Sequence, residues 1–92
     1  RWIIDPLDGT TNFLHGIPHF AIAIAVQEPA ADGQGIDGSG WGDVIAGLVY
    51  QPITDESFWA EKSRGAWLQD RRLRVSARRH LDEALIGTGI PF

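Results

Sequence analysis

The sequence has no cysteine, no long apolar run and no tract of basic residues, and each absence removes a class of protein. Without cysteine among its 92 residues, the chain forms no disulfide and has no thiolate metal site. No apolar run reaches about 18 residues, the length that a membrane-spanning helix needs, and no signal peptide is visible. We therefore expect a cytoplasmic protein with no membrane partner.

The charge balance argues against a nucleic-acid partner. The formal net charge is −4, and no basic tract of the kind that follows nucleic acid is present. The basic residues cluster instead in the last third of the chain. We interpret this cluster as a solvated surface and keep an anion-binding role as the alternative: Arg64, Arg71, Arg72, Arg74, Arg78 and Arg79.

A chain of this length is at most one domain. It begins with Arg1, directly before a predicted strand, and stops at Phe92, just after an apolar run. We expect residues 1–92 to be the central part of one larger domain that is truncated at both ends.

The hydrophobic pattern predicts strands with little helix between them. Residues 2–4 predict a short buried strand that Asp5 ends, and residues 9–16 predict a short helix with Asp8 as its N-cap. Residues 20–26 alternate between large and small apolar side chains, so both faces of that strand are expected to be covered. Residues 28–43 are rich in Gly and Asp and predict a polar loop.

The second half of the chain continues this pattern. Ser76 is expected to begin a short helical stretch that runs through residues 82 and 83. Together the elements predict an α/β or layered α+β protein with a mostly antiparallel sheet. The further strands are predicted at "VIAGLVYQP" (44–52), "SFWAEK" (57–62), "AWLQ" (66–69), "LRV" (73–75) and "ALIGTGI" (84–90).

The stretch "DPLDGTT" (5–11) holds the most informative chemistry. Pro6 fixes its own φ and keeps Asp5 extended, so Asp8 is expected to face back toward Asp5. The two carboxylates and the Leu7 carbonyl are hard oxygen ligands of the kind that Mg²⁺ or Mn²⁺ prefers. A plain turn followed by a helix cap remains the alternative interpretation.

A helix N-terminus with small residues follows these ligands directly. Its free N–H groups and positive dipole end favour a phosphate. A metal beside a phosphate site is the arrangement for metal-assisted phosphoryl transfer. The Thr10 hydroxyl is placed to orient the attacking water.

Two other interpretations of the acidic residues are tested by spacing. A calcium loop of the EF-hand type needs oxygen ligands at positions 1, 3 and 5 and Gly at position 6. Counting from Asp5, position 3 is Leu7 and position 6 is Thr10, so the sequence does not fit such a loop. The haloacid-dehalogenase phosphatases carry D-x-D-G-T, which is one residue shorter and would place the nucleophile at Leu7. We keep that family as the weaker enzymatic alternative.

His15 and His19 are expected to pack or cap the helix end, with a metal role as the alternative.

The stretch "WIIDPLDGTTNFLHGIPHFAIAIAV" resembles the inositol monophosphatase family of Mg²⁺-dependent, typically lithium-sensitive phosphatases. It matches the family pattern W-x-[IV]-D-P-[IL]-D-G-T-x-N-[FY] without a gap. "AGLVYQPITDESFWAEKSRGAWLQDRRLRVS" and "ALIGTGIPF" are similar to the strands that follow. The resemblance covers essentially the whole chain and implies part of an α/β/α/β/α sandwich of the sugar-phosphatase type.

The resemblance also implies roles for the residues of the motif. Asp5 would bridge two metal ions, the Leu7 carbonyl would bind the first and Asp8 the second, with two or three Mg²⁺ ions in all and Mn²⁺ as an alternative. Asp8 and the backbone N–H groups of Gly9 and Thr10 would form the phosphate site. Asp5 and Thr10 would be the catalytic residues, and the Thr10 hydroxyl would help to position the attacking water.

Some ligands that the family uses have no counterpart in this sequence. The family supplies further metal ligands from an upstream Glu-Glu segment and a downstream Trp-Asp segment. Residues 41–43 ("WGD") lie too early in the chain to be the latter, inside a loop that looks like an insertion. Because two carboxylates alone hold Mg²⁺ weakly, we expect the isolated 92 residues to be inactive and poorly folded.

The expected reaction is hydrolysis of a phosphate monoester, with inositol 1-phosphate as the first candidate. Relatives act on fructose 1,6-bisphosphate, histidinol phosphate or 3′-phosphoadenosine nucleotides. The alternative from another class is a non-catalytic module that binds an RNA transcription complex. The full-length protein is expected to be a homodimer that takes a small phosphorylated substrate.

Overall fold

The described part of the chain folds into one antiparallel sheet, with a short helix inserted near the first edge of the sheet. The structure, a computed structural model, describes residues 1–89. Within that range six strands lie in the spatial order β1 to β6, the order of the chain. The strands are β1 (Trp2–Asp8), β2 (Ala21–Pro29), β3 (Trp41–Gln51), β4 (Glu56–Glu61), β5 (Gly65–Leu68) and β6 (Arg71–Leu73). The helix α1 (Thr10–Leu14) joins β1 to β2, and a 3₁₀ turn spans Leu81–Glu83.

The prediction of a mostly antiparallel sheet is confirmed, since every neighbouring pair of strands is antiparallel. Within residues 1–89, no helix has the length and apolar character needed to cross a membrane.

The two faces of the sheet differ in the size of their side chains. Ala23 lies opposite Asp5 on β1 and opposite Val49 on β3, whereas Ile24 lies opposite Ile4 and Leu48. Because successive residues of a strand point to opposite faces, the predicted alternation along β2 is confirmed. The alanine face carries Ile3, Asp5, Ala21, Ala23, Ala25, Gly47, Val49, Phe58 and Ala60, and the isoleucine face carries Trp2, Ile4, Ile22, Ile24, Val26, Leu48, Trp59 and Trp67.

No second layer covers either face within the described residues. None of residues 1–89 is buried, and even Ile4 and Val49 are 58% and 43% exposed. A sheet that is apolar on both faces needs a layer on each side to remove that surface from water. The expected covering of both faces is therefore not made by residues 1–89.

Several predicted boundaries are wrong because strand pairing extends further than the local pattern. The expected loop at 28–43 shrinks to 30–40, since Gln27 pairs with Val44 and Pro29 with Trp41. The strand expected to end at Asp5 continues to Asp8, and the helix expected over 9–16 spans five residues.

The end of the chain departs most from expectation. The Ser76 hydroxyl accepts a hydrogen bond from the Arg78 N–H at 3.0 Å, but a local turn replaces the expected helical stretch until the 3₁₀ turn at 81–83. Residues 84–89 form no strand, because a strand needs a neighbour for its hydrogen bonds and two glycines weaken this segment. The last residue of that predicted strand, Ile90, lies outside the described residues.

Candidate active site at the β1–α1 corner

A β-bulge in β1 brings two carboxylates to the same face of the sheet. In a regular strand, residues three apart point to opposite faces. Here Asp5 pairs with Ala23 and Asp8 with Ala21, so three steps along β1 match two steps along β2. The extra residue is absorbed by the bulge, and Asp5 and Asp8 both lie on the alanine face.

Pro6 is compatible with this bulge because β1 is an edge strand. Proline has no N–H to donate to a ladder, so within sheets it is confined to edges and bulges. β1 pairs with β2 on one side, and no described strand lies on its other side. The proline therefore marks the irregular position that turns the second carboxylate toward the first.

The backbone of Leu7 connects the catalytic candidates. Its N–H donates to the Asp5 carboxylate at 3.2 Å, and its carbonyl accepts a hydrogen bond from the Thr10 hydroxyl at 3.2 Å. The first bond orients Asp5, and the second fixes the Thr10 oxygen beside a candidate metal ligand. The structure thus brings Asp5, Leu7 and Thr10 together.

The prediction that Asp8 caps the helix is wrong. The N-cap of α1 is Gly9, at φ 88°, and among the described residues no side chain caps this helix. A positive φ of this size favours glycine strongly, so the cap position shifts one residue beyond Asp8. Asp8 is therefore the last residue of β1, and its carboxylate does not accept hydrogen bonds from the helix N–H groups.

The start of α1 offers donors beside these oxygens. The first intrahelical hydrogen bond runs from the Phe13 N–H to the Gly9 carbonyl at 3.0 Å. The N–H groups before Phe13 therefore have no partner inside the helix. Those of Gly9 and Thr10 are the donors that the sequence predicts for a phosphate.

Two side-chain contacts hold α1 against the segment that leads into β2, and sequence reasoning missed the parts that Asn12, Phe13 and Phe20 play in them. The Asn12 side-chain N–H donates to the His19 carbonyl at 2.8 Å. The rings of Phe13 and Phe20 meet edge to face at 5.2 Å. A Cβ on Gly9 would lie 2.9 Å from the same His19 carbonyl oxygen. The Asn and aromatic positions of the family pattern, Asn12 and Phe13, are the sequence signal that could have indicated these contacts.

The two histidines act through their backbone. His15 is the C-cap residue of α1, and its N–H donates to the carbonyls of Thr11 and Asn12. His19 provides the carbonyl that receives Asn12. These positions agree with packing or capping of the helix end.

Residues 41–43 lie far from the corner. Asp43 is near the start of β3, whereas Asp8 lies level with the end of that strand. Asp43 forms an ion pair with Lys62, and this hydrogen bond and charge lower the pKa of the Asp43 carboxyl and raise the pKa of the Lys62 ammonium. Asp43 is thus already paired with a cation of its own chain.

The oxygens at the corner suit a hard cation but do not complete its shell. The donors are two carboxylates on one face and one carbonyl, the ligand types that Mg²⁺ takes. Within residues 1–89, no group of three or more His, Asp or Glu residues is placed to hold a metal ion. Since Mg²⁺ needs about six oxygens in octahedral order, water, substrate or further residues must supply the rest.

Comparison with known proteins gives the same family that the motif at this corner indicates. The model of the inositol monophosphatase family matches residues 1–92. The inositol-1-monophosphatase of Caulobacter vibrioides is 56% identical over 92 residues, which are 99% of this chain and 32% of that protein. The Nus factor SuhB of Pseudomonas aeruginosa is 48% identical over 91 residues, 99% of this chain and 29% of that protein.

Solved structures give the same result at the level of the fold. The extragenic suppressor protein suhB from Bartonella henselae superimposes with a TM-score of 0.71 at 52% identity over 90% of this chain and 30% of that one. The inositol monophosphatase from Anabaena has a TM-score of 0.63 at 32% identity, over 84% and 27% of the two chains. The chain spans about a third of the length of the curated relatives it matches.

Proposed function

Because this chain belongs to the inositol monophosphatase family, we propose that the intact protein uses Mg²⁺ to hydrolyse a phosphate monoester, with inositol 1-phosphate as its substrate. The observation that carries the proposal is the bulge that places Asp5 and Asp8 on one face, next to the Thr10 hydroxyl. The name of the Caulobacter relative, inositol-1-monophosphatase, supports the choice of substrate.

The chain's own ligands would be the carboxylates of Asp5 and Asp8 and the carbonyl of Leu7. Two or three Mg²⁺ ions would be shared with ligands from elsewhere, and Mn²⁺ suits the same oxygens. When bound, such ions lower the pKa of a bound water and neutralise charge on the phosphoryl oxygens.

Thr10 orients the water that attacks phosphorus. Its hydroxyl proton is directed at the Leu7 carbonyl, 3.2 Å away, so its lone pairs are left to accept a hydrogen bond from water. The water then points its own lone pair away from Thr10, toward an in-line attack on the phosphate. Asp5, held by the Leu7 N–H, places its carboxylate beside that water.

The phosphate is held at the start of α1. The backbone N–H groups of Gly9 and Thr10 donate to its oxygens, because they precede the first intrahelical hydrogen bond. Asp8 belongs to this site through the cation that it would share with the phosphate, since two anions in direct contact repel each other.

The experiment is a phosphate-release assay on the intact gene product. Inositol 1-phosphate with Mg²⁺ should give turnover that Li⁺ inhibits and a chelator abolishes. Fructose 1,6-bisphosphate, histidinol phosphate and a 3′-phosphoadenosine nucleotide are run in parallel to define the substrate. No release from any of the four would contradict the proposed activity.

The isolated chain is expected to be inactive and poorly folded. No described residue is buried, and the corner supplies fewer oxygens than Mg²⁺ requires. Circular dichroism and the same assay on the 92 residues test this expectation, and Mg²⁺-dependent turnover by the isolated chain would refute it.

A second candidate function is a non-catalytic module that binds a transcription complex. Relatives named Nus factor SuhB, such as the Pseudomonas protein at 48% identity, favour it. The intact gene decides between the two, because an upstream Glu-Glu and a downstream Trp-Asp segment support the enzyme, and their absence supports the module. We also propose a cytoplasmic homodimer, which light scattering and cell fractionation test.

A further inference from the structure

We propose that Asn12 is a positioning residue for the reaction at the corner, fixing Thr10 and Asp8 relative to each other through one side-chain hydrogen bond. This inference rests on the proposed phosphatase function. It concerns the connection from β1 to β2, residues 9–20, in which the Asn12 side chain on α1 bonds to a backbone carbonyl of the returning segment.

That carbonyl belongs to His19. It accepts the Asn12 side-chain N–H at 2.8 Å, and a Cβ on Gly9 would lie 2.9 Å from it. Asn12 also accepts the Ile17 N–H at 2.9 Å with its backbone carbonyl. Asn12 is half-buried and bonds to the returning segment at both Ile17 and His19.

The His19 carbonyl lies two residues before Ala21, the residue that pairs with Asp8 across β1 and β2. Thr10 lies two residues before Asn12 on α1. The bond from Asn12 to His19 therefore ties the helix that carries the Thr10 hydroxyl to the strand that sets the position of Asp8. The edge-to-face contact of Phe13 with Phe20 keeps the helix against the same segment.

Asn12 is assigned to positioning because its amide donor is directed at backbone. Among the described residues its side-chain hydrogen bond goes to His19. Asp5 and Thr10 are instead bonded to Leu7. Loss of the Asn12 amide lets α1 turn about Gly9, which moves the Thr10 oxygen away from the water that it orients.

The test uses the intact protein with Asn12→Asp and Asn12→Ala. Asn12→Asp keeps the side-chain shape but replaces the donor with an acceptor. Since a misplacement of about 1 Å costs on the order of 100-fold in rate, kcat should fall by that factor while KM changes little.

Gln27→Ala is the matched control. The Gln27 side-chain N–H donates to the Gly42 carbonyl at 2.8 Å, and its side-chain oxygen accepts from the Arg1 guanidinium at 2.9 Å, so side-chain bonds of this kind are lost at the far end of β2, away from the corner. Gln27→Ala should lower Tm at least as much as Asn12→Ala and leave kcat unchanged. Equal kcat for Asn12→Asp and wild type, or an equal kcat loss in Gln27→Ala, would overturn the positioning role.

Amide hydrogen exchange separates this inference from the proposed function. Asn12→Asp should speed exchange of the hydrogen-bonded amides of Phe13, His15 and Ile17, and Gln27→Ala should not. If the wild-type protein hydrolyses no phosphate ester, the proposed function is wrong, and faster exchange in Asn12→Asp still supports the role of Asn12 in fixing α1. Unchanged exchange in Asn12→Asp overturns that role whatever the activity.

Discussion

The β1–α1 corner and the loop at 30–40 use the same residue types for different purposes. Both pair aspartates with glycines, in "DPLDG" and in "DGQGIDGSG". In the loop, the Asp32 carboxylate accepts the N–H groups of Gln34 and Gly35, each at 2.9 Å, and Asp37 accepts the Ser39 N–H at 3.0 Å. These loop carboxylates are taken up by their own backbone.

At the corner the carboxylates are left available. Asp8 does not cap α1, because Gly9 occupies the cap position, and Asp5 receives one bond of 3.2 Å from Leu7. The bulge then places both on one face. A dense acidic and glycine-rich composition therefore does not by itself predict a metal site, and the prediction at the corner rests on the register of β1.

The largest expected effect separates the two regions by activity. Asp8→Asn in the intact protein should reduce kcat/KM by about 1,000-fold or more, about 4 kcal/mol of transition-state stabilisation, because a metal ligand is lost. Asp32→Asn in the loop is the control and should leave the rate unchanged. Activity that survives Asp8→Asn would show that the metal assignment is wrong.

A smaller loss is expected on the neighbouring helix. Thr10→Ala should lower kcat by about 100-fold, the lower end of what a positioned proton-transfer group contributes, while Thr10→Ser keeps the hydroxyl and most of the rate. Thr11→Ala, one residue further, should have no effect. Steady-state kinetics with inositol 1-phosphate measure all three, and equal rates for the alanine variants would break the distinction.

The same two regions should also differ in how much stability a glycine substitution costs. Gly9→Ala adds a methyl group 2.9 Å from the His19 carbonyl oxygen at φ 88° and should cost about 3 kcal/mol of unfolding free energy. Gly38→Ala in the loop also has a positive φ but meets no atom within 4 Å, so about 1 kcal/mol is expected. Urea unfolding of the intact protein measures both, and equal costs would contradict the close approach at the corner.

The smallest effect concerns pH. Backbone N–H groups of Gly35 and Gln34 lower the pKa of Asp32, and the Ser39 hydroxyl and N–H lower the pKa of Asp37, from an ordinary value of 3.8. Since the folded pKa lies below the unfolded one, this stabilisation is present above about pH 4 and is lost as the pH falls through the folded pKa.

Exchange of the Gly35 and Ser39 amides with pH reports this loss directly. Protection should persist down to about pH 4 and fall below it. In Asp32→Asn the Gly35 amide should lose this dependence, because an asparagine does not titrate there. An unchanged pH profile in that variant would assign the protection to another group.

Much of the fold follows from the sequence, and the exceptions have local causes. The alternation from Ala21 to Val26 predicted a strand with two apolar faces, because a period of two has no other regular solution. The pattern did not reveal the bulge, since Pro6 is compatible with either a strand end or an irregular edge. It also assigned the cap to Asp8, because side-chain preference alone does not show that Gly9 adopts φ 88°.

Residue types predict the candidate site, but its contacts come only from the structure. The choice of Asp5, Leu7 and Asp8 as ligands rests on the chemistry of hard cations and stays a prediction. The bond from Thr10 to Leu7 depends on the turn at Gly9, and the bond from Asn12 to His19 depends on how α1 folds back toward β2. Residue types alone encode neither. The helix expected after Ser76 does not form, since no helix or strand within residues 1–89 packs on that segment to stabilise it.

The most direct test of the central claim is to locate bound Mn²⁺ by anomalous scattering in crystals of the intact protein. We predict Mn²⁺ within bonding distance of the Asp5 and Asp8 carboxylates and the Leu7 carbonyl, on the alanine face of the sheet. Mn²⁺ bound at Asp32 and Asp37 in the loop, with none at the corner, would contradict the account.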